Sequence, residues 1–303
     1  MKSYFTIFLI SLLCLSACKA KLSSDETIAS VSQKTICTKV INEEIFDRNG
    51  HKVDYQTVLR TSAQSDYILV GETHTDPRHH QIQTNILKHT GANTVLFEML
   101  EPVHEQITAQ YAKGRISSGQ FHTDLQWQQR GWPIWDAYYP IFEVATGQKA
   151  MIGHASLDSE LINNVNKFGV LALPRQLRQE LKLKAGEKSV VDFNEVITEI
   201  KRSHSIDDNT AQRLAISQYV KDAYMAYRLA KSQPKAVLIA GSGHVRTDIG
   251  VPVHLKQYQK DAKVVSIGLL ERSDGNDADL KAQLKRYDFI WITSPQCALR
   301  QPG

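Results

Sequence analysis

The sequence predicts an α/β fold: a mostly parallel sheet flanked by helices, with a helical cap insertion. Three observations predict it. Short apolar runs recur at Tyr67–Val70, Thr94–Phe97, Lys149–Ile152, Ala236–Ala240, Val264–Leu269 and Phe289–Thr293, each of strand length. Stretches of helical periodicity separate most of them, and crossovers of that kind join parallel strands. Four runs stop on chemically active residues: Gly71-Glu72-Thr73-His74, Glu98, Gly153-His154 and Gly241-Ser242-Gly243-His244. Ligands of open α/β sheets bind beyond the carboxyl ends of the strands. Glu72, His74, Glu98, His154 and His244 are therefore expected to form one polar cluster.

The chain opens on Met1-Lys2 and an apolar run from Tyr4 to Leu15, the build of an export signal and short for a membrane span. The run closes on Leu15-Ser16-Ala17-Cys18, which matches a bacterial lipobox. The match implies a signal peptide over residues 1–17 and lipid on Cys18, with more than one acyl chain for stable anchoring. An ordinary secretory signal or a short membrane anchor is the alternative. Lys19, where inner-membrane retention begins with Asp, points to the outer membrane facing the periplasm. Residues 18–35 are polar and rich in Ser and Lys, a flexible tether. Residues 36–303 form the α/β domain, with cap segments at about 101–147 and 157–233.

Of 303 residues, 42% are hydrophobic and 22% charged, enough for an ordinary core. The formal charge of +4 is too mild to argue for a nucleic-acid partner. Cys14 leaves with the signal and Cys18 is the lipid acceptor. That leaves Cys37 and Cys297, expected in an oxidising compartment to join the two ends as a disulfide; two free thiols are the alternative.

The intervening elements follow in order. Asn49-Gly50 marks the tip of a hairpin within Asp47–Lys52. A helix over Val53–Ala63 precedes the first core strand, and Asp76-Pro77 starts another over Arg78–His89. Helices are expected over His104–Lys113 and Ser118–Gln129. Then comes an aromatic stretch, Trp127 to Pro140, holding three of the four tryptophans. Such a stretch either staples cap to sheet or walls a pocket for a flat ligand. Residues 157–231 read as helical, broken by Pro174 and the turn Ala185–Lys188, with helices over Val191–Ser203 and Thr210–Lys231. Pro234 ends the last of these, and Asp274–Asp277 with a short helix separates the final strands.

A mixed His/carboxylate set suits a divalent metal ion or proton transfer. Glu72, His74, Glu98 and His244 are the candidates for both roles. The chain has no His-Glu-x-x-His and no Gly-x-Ser-x-Gly, and Gly241-Ser242-Gly243-His244 lacks the spacing of a nucleophile elbow. Two ionisable groups at the end of a buried strand are costly unless used or paired.

Gly71-Glu72-Thr73-His74, Phe97-Glu98-Met99, Trp135 to Ala145, Asp222-Ala223-Tyr224-Met225-Ala226 and Gly241-Ser242-Gly243-His244 through Gly250-Val251-Pro252 together resemble the ChaN family. Its haem-binding lipoproteins share a superfamily with erythromycin esterases and the TIKI proteases. The resemblance runs from about residue 50 to 293. It implies haem held between cap and sheet core, in a homodimer, with tyrosine on the iron, and a haem-uptake receptor or transporter as partner. The haem candidates are Tyr138, Tyr139, Trp135, His154 and Tyr224, with Tyr227 in reserve. Ser156-Leu157-Asp158-Ser159 stands where the family often carries Asn-x-Pro-Arg. The esterase and protease side implies instead a metal-dependent hydrolase using Glu72, His74, Glu98 and His244.

Overall fold

The computed structural model describes residues 43–183, 190–203, 205–272 and 277–293. The signal peptide, the tether, Cys18, Cys37 and Cys297, the turn at 185–188 and most of that at 274–277 lie outside the described residues. So do any contacts they make.

A short antiparallel hairpin begins the fold. β1 (Glu44–Asp47) pairs β2 (Lys52–Val53), and the Asp47 carboxylate accepts from the backbone of Asn49 and His51 at 2.9 and 2.8 Å. Asp54 caps α1 (Tyr55–Gln64) by accepting from Thr57 N at 2.7 Å, filling one of the orphan donors of a helix start. β3 (Tyr67–Glu72) follows, buried along its whole length. α2 (Pro77–Thr90) starts on the Asp76 cap with Pro77 in its first turn and stops on left-handed Gly91. β4 (Thr94–Phe97) completes the βαβ unit.

α3 (Glu105–Ala112), α4 (Ser118–Asp124) and α5 (Trp135–Gly147) build the first helical segment. α4 ends five residues short of the expected Gln129. The chain turns there instead: Gln126 sits at φ 49°, and the fully buried Trp127 indole donates to Pro133 O at 2.7 Å. Anchoring that ring in the core outweighs another turn of helix. The second half of the aromatic stretch is itself helical, since α5 begins at Trp135 and carries Pro140 in its interior.

β5 (Met151–His154) is followed by α6 (Ser159–Phe168), α7 (Arg175–Glu180), α8 (Phe193–Ser203) and the long α9 (Asp208–Lys231). β6 (Ala236–Gly241), α10 (Val251–Leu255), β7 (Val264–Glu271), α11 (Asp277–Leu284) and β8 (Phe289–Thr293) close the fold. The strands form one sheet in the order β2-β1-β8-β7-β3-β6-β4-β5. Every pairing from β8 to β5 is parallel, and β1 adds antiparallel to β8. The expected α/β class holds.

Alternate strand residues serve opposite faces, as a two-residue side-chain period requires. Ile68, Val70, Val95, Phe97, Val237 and Ile239 pack with the helices that hold Ile82, Ile86, Trp135 and Phe142. Leu69, Leu96, Leu238 and Ala240 face Met225, Ala226 and Leu229 of α9 and Leu255 of α10. A third cluster joins Val165, Leu181 and Val196 to Tyr219, Val220 and Ala223 of α9. α9 therefore packs its carboxyl-terminal half on the sheet and its middle on the cap helices.

Candidate functional site

β6 decides the site. The chain runs from β3 outward to β4 and β5, then returns to insert β6 between β3 and β4. Glu72 pairs in register with Gly241, and Glu98 N donates to Ile239 O at 3.0 Å. Three strand ends thereby stand side by side, so Glu72, His74, Glu98 and His244 converge. Glu72, Glu98 and His244 are all at most 5% exposed.

Gly71 enables this convergence for a reason other than a turn. β3 runs straight through it to Glu72. A Cβ there would stand 2.3 Å from Val245 Cγ2 and 2.7 Å from Ser242 Cα, closer than atoms pack. The missing side chain admits the 3-10 turn Ser242–Val245 that carries His244.

Glu98 is the centre. Its Oε1 accepts from Lys221 Nζ at 2.8 Å and His244 Nε2 at 3.1 Å, and its Oε2 accepts from Gly241 N at 2.8 Å. His74 Nε2 lies 3.6 Å from Oε2. His244 spends its other nitrogen on Asp222, with Nδ1 and Oδ1 2.5 Å apart, while Gln218 donates to Asp222 Oδ2 at 3.4 Å. Burial alone would lower the His244 value, but the carboxylates of Glu98 and Asp222 raise it to about 9. Burial pushes Glu98 up, yet His244 and Lys221 hold it well below the usual carboxylate range. For Asp222 burial wins, and its carboxyl is raised.

A second half of the cluster centres on Glu72. Its Oε1 accepts from the Tyr138 hydroxyl and lies 2.7 Å from His74 Nδ1. His80 Nε2 stands 3.3 Å from Oε2 but out of line for a hydrogen bond, and its ring packs on Tyr138 with centroids 3.9 Å apart. Burial would raise Glu72, but His74 and His80 bring it down to about 2. His74 is raised above its ordinary value: burial opposes the shift, while Glu72 and Glu98 impose it.

His154 does not join. It ends the edge strand β5, and its Nδ1 meets Ser156 O at 3.3 Å and the Tyr224 hydroxyl at 3.4 Å. The reason is topological: β4 lies between β5 and β6, so a group at the end of β5 sits beyond Glu98. Sequence reasoning missed Lys221 as a partner of Glu98 and placed Asp222 only in a family motif. Both lie mid-helix in α9 with no strand end to mark them, and only the buried carboxylate within an apolar helix face gave a signal.

Among the described residues no group of three or more His, Cys, Asp or Glu side chains is set to hold a metal ion. Glu72, His74, Glu98 and His244 instead hydrogen-bond or ion-pair with one another and with Tyr138, Asp222 and Lys221.

Beside Glu98 opens a cleft of about 290 Å³, lined by Arg130, Trp132, Leu157, Ile162 and Lys221 among others. Ser156 and Ser159, from the segment that departs from the Asn-x-Pro-Arg pattern, lie on its wall. The Trp132 ring meets His74 edge-on at 5.2 Å. Within the aromatic stretch Trp127, Trp135 and Tyr138 pack the core, and Trp132 lines the cleft.

A cleft and an acid–imidazole cluster at the carboxyl edge of a parallel sheet define an α/β ligand-binding protein. The sequence profile described as haem-binding uptake, Tiki superfamily, ChaN matches residues 58–255, so the chain belongs to that family, and haem is the cofactor that membership implies. The fold is similar to that of ChaN of Campylobacter jejuni, a structure described for cofacial heme binding. The TM-score is 0.63 and identity 23%, covering 84% of this chain and 97% of that one. An erythromycin esterase mutant in its open conformation aligns at TM-score 0.45 and 11% identity, over 86% of this chain and 84% of its own. No curated protein matches the sequence.

The residues at hand fit a porphyrin better than they fit its iron. Trp132, Leu157 and Ile162 give the cleft apolar lining, and Arg130 and Lys221 stand there paired with Glu101 and Glu98. Three of the tyrosines expected to meet iron are engaged elsewhere. Tyr138 donates to Glu72, Tyr224 meets His154, and Tyr227 donates to Glu180 at 3.2 Å. Trp135 is 6% exposed and packs on Phe142.

Proposed function

We propose that this protein is a lipid-anchored haem binder of bacterial iron and haem uptake, held through Cys18 in the cell envelope and facing the periplasm from the outer membrane. The observation that carries the haem part is the cleft beside Glu98, where an indole and two aliphatic side chains stand next to the ion pairs Arg130–Glu101 and Lys221–Glu98. The apolar side chains suit the face of a flat ring. At about 290 Å³ the cleft lies at the small end of ligand pockets, so it encloses only part of a porphyrin. A homodimer that covers the remainder, and hand-over to an uptake receptor or transporter, complete this reading. The anchor is supported by Leu15-Ser16-Ala17-Cys18 behind an apolar run. Among the described residues no helix is long and apolar enough to cross a membrane.

Hemin titrated into the purified chain tests the reading: a saturable Soret change supports it, and its absence overturns it. Metabolic labelling with a fatty acid tests the anchor, which fails if Cys18→Ser leaves the label in place.

One observation favours a second reading, a hydrolase. Asp222, His244 and Glu98 form a continuous buried acid–imidazole–acid chain beside the cleft, a geometry suited to moving protons. Ester turnover by the purified protein, abolished in His244→Asn, would favour it; no turnover across a panel of esters sets it aside.

A further inference from the structure

We propose that the amino-terminal edge of the sheet is a docking face for an anionic lipid surface, so that the cleft at the opposite edge points away from the membrane. The inference takes the membrane from the anchored reading and adds which side of the domain meets it.

Parallel strands begin at a common edge, and backbone bonds tie those beginnings into one continuous surface. Lys235 N donates to Asp66 O at 2.7 Å, Asn93 N to Lys235 O at 2.9 Å, Met151 N to Asn93 O at 2.9 Å, and Asp66 N to Lys263 O at 2.8 Å. Lysines crowd this surface. Lys149, Lys235 and Lys263 lead into β5, β6 and β7. Lys260 stands three residues before Lys263, and Lys182 reaches the same edge by donating to Gln257 O. All five are exposed. Lys88 and Lys231 join them from the last turns of α2 and α9, where a cation also suits the helix end.

Two observations set this edge apart from an ordinary solvated face. The first is its unanswered charge. Among the described residues the lysines paired with carboxylates are Lys52, Lys201 and Lys221, none of the seven above. Five carboxylates lie along the edge, those of Asp47, Asp66, Glu180, Asp261 and Asp288, against the seven lysines, Arg48 and Lys256. The face is therefore net positive, and a cluster of lysines at an anionic bilayer adds to the hold of a lipid chain. The second is where three of the lysines sit. Lys149, Lys182 and Lys235 have φ of 57°, 54° and 65°, the left-handed region that glycine fills without strain and lysine does not. Folding gains nothing from lysine at those turns; a surface that must carry charge does.

α9 gives the direction. Its Lys231 end is on this edge, and its Asp208 end, paired with Lys201, is about 36 Å away. Lys221, between the two, lines the cleft.

The test places the full chain, produced in a bacterium, on vesicles of phosphatidylcholine and on vesicles of equal parts phosphatidylcholine and phosphatidylglycerol, and reads lysine acetylation by mass spectrometry. Lys149, Lys260 and Lys263 should react about fivefold more slowly on the anionic vesicles, with Lys201 unchanged and the protection lost in about 0.5 M salt. Lys149→Asn combined with Lys260→Gln keeps the left-handed turn in a residue that tolerates it. It should bring Lys263 to within about twofold of its rate on uncharged vesicles. Equal acetylation on the two compositions overturns the inference, and that comparison needs no variant to fold. Equal slowing of Lys201 also overturns it, since the chain then meets the membrane with no preferred side. Flotation with uncharged vesicles reads the anchor by itself: its absence overturns the anchored reading, while the comparison of the two compositions still decides the face.

Discussion

Replacing Glu98 by Gln keeps the shape of the side chain and removes the charge that Lys221 and His244 face. Glu98 is 4% exposed, with those two cations at 2.8 and 3.1 Å. Leaving them without their partner should cost about 3 kcal/mol, the low end for a broken buried pair, because a quarter of the Lys221 side chain reaches solvent. The sharper signature is in pH. Burial would lower His244; Glu98 and then Asp222 raise it from 6.5 to about 9. At about 1.4 kcal/mol per pH unit that rise is worth about 3 kcal/mol. A group raised in the folded state stabilises fully below its unfolded value, and that contribution is lost as pH rises through the folded value. Wild-type stability should therefore decline between about pH 6.5 and 9. Glu98→Gln removes the larger of the two raising carboxylates, so roughly half of that decline should vanish. Urea unfolding of both proteins at about pH 6 and pH 9.5 measures it, and the gap between them should narrow by about 1–2 kcal/mol at the higher pH. A gap that stays constant would refute the coupling of Glu98 to His244.

Three further outcomes follow from the geometry. Arg246 is 1% exposed and paired with Glu195, Glu199 and Asp248 at 2.7–2.8 Å; Arg246→Met should cost about 3 kcal/mol, as read by urea unfolding, since Arg286 still pairs with Glu195 and Glu199 at 3.1 Å each. Gly71→Ala drives a methyl to 2.3 Å from Val245 Cγ2 and should destabilise by about 3 kcal/mol or more; a thermal midpoint matching wild type contradicts the close approach. His254 is wholly buried, with neither ring nitrogen bonded among the described residues and its value lowered by burial to about 4. Removing the orphaned polar atoms with His254→Met should leave stability equal or raise it by about 1 kcal/mol, as read by urea unfolding.

The strands were legible because each is a short apolar run with an abrupt end: β4 and β8 fall on their expected residues, and β6 runs one residue past the expected Ala240, to Gly241. Helix starts with a capping side chain, such as Asp54 and Asp76, were readable for the same local reason. α4 was not, because what ends it is the burial of Trp127 against residues it does not adjoin in sequence. The site was half legible. Glu72, His74, Glu98 and His244 announce themselves at strand ends, whereas Lys221 and Asp222 sit among apolar helix residues and acquire meaning only when α9 crosses the edge of the sheet.

The sequence by itself determined the α/β class, the strand ends that carry acids and imidazoles, and the family, since each is written in local pattern and spacing. Tertiary structure decided which of those ends meet. Insertion of β6 between β3 and β4 brings Glu98 to His244 and leaves His154 on the outer strand. It also decided what the tyrosines do: their hydroxyls are desolvated on folding and must find acceptors inside the protein, and Tyr138 finds Glu72. Strand order and the partner of a buried polar atom are set by long-range packing, which no run of neighbouring residues encodes.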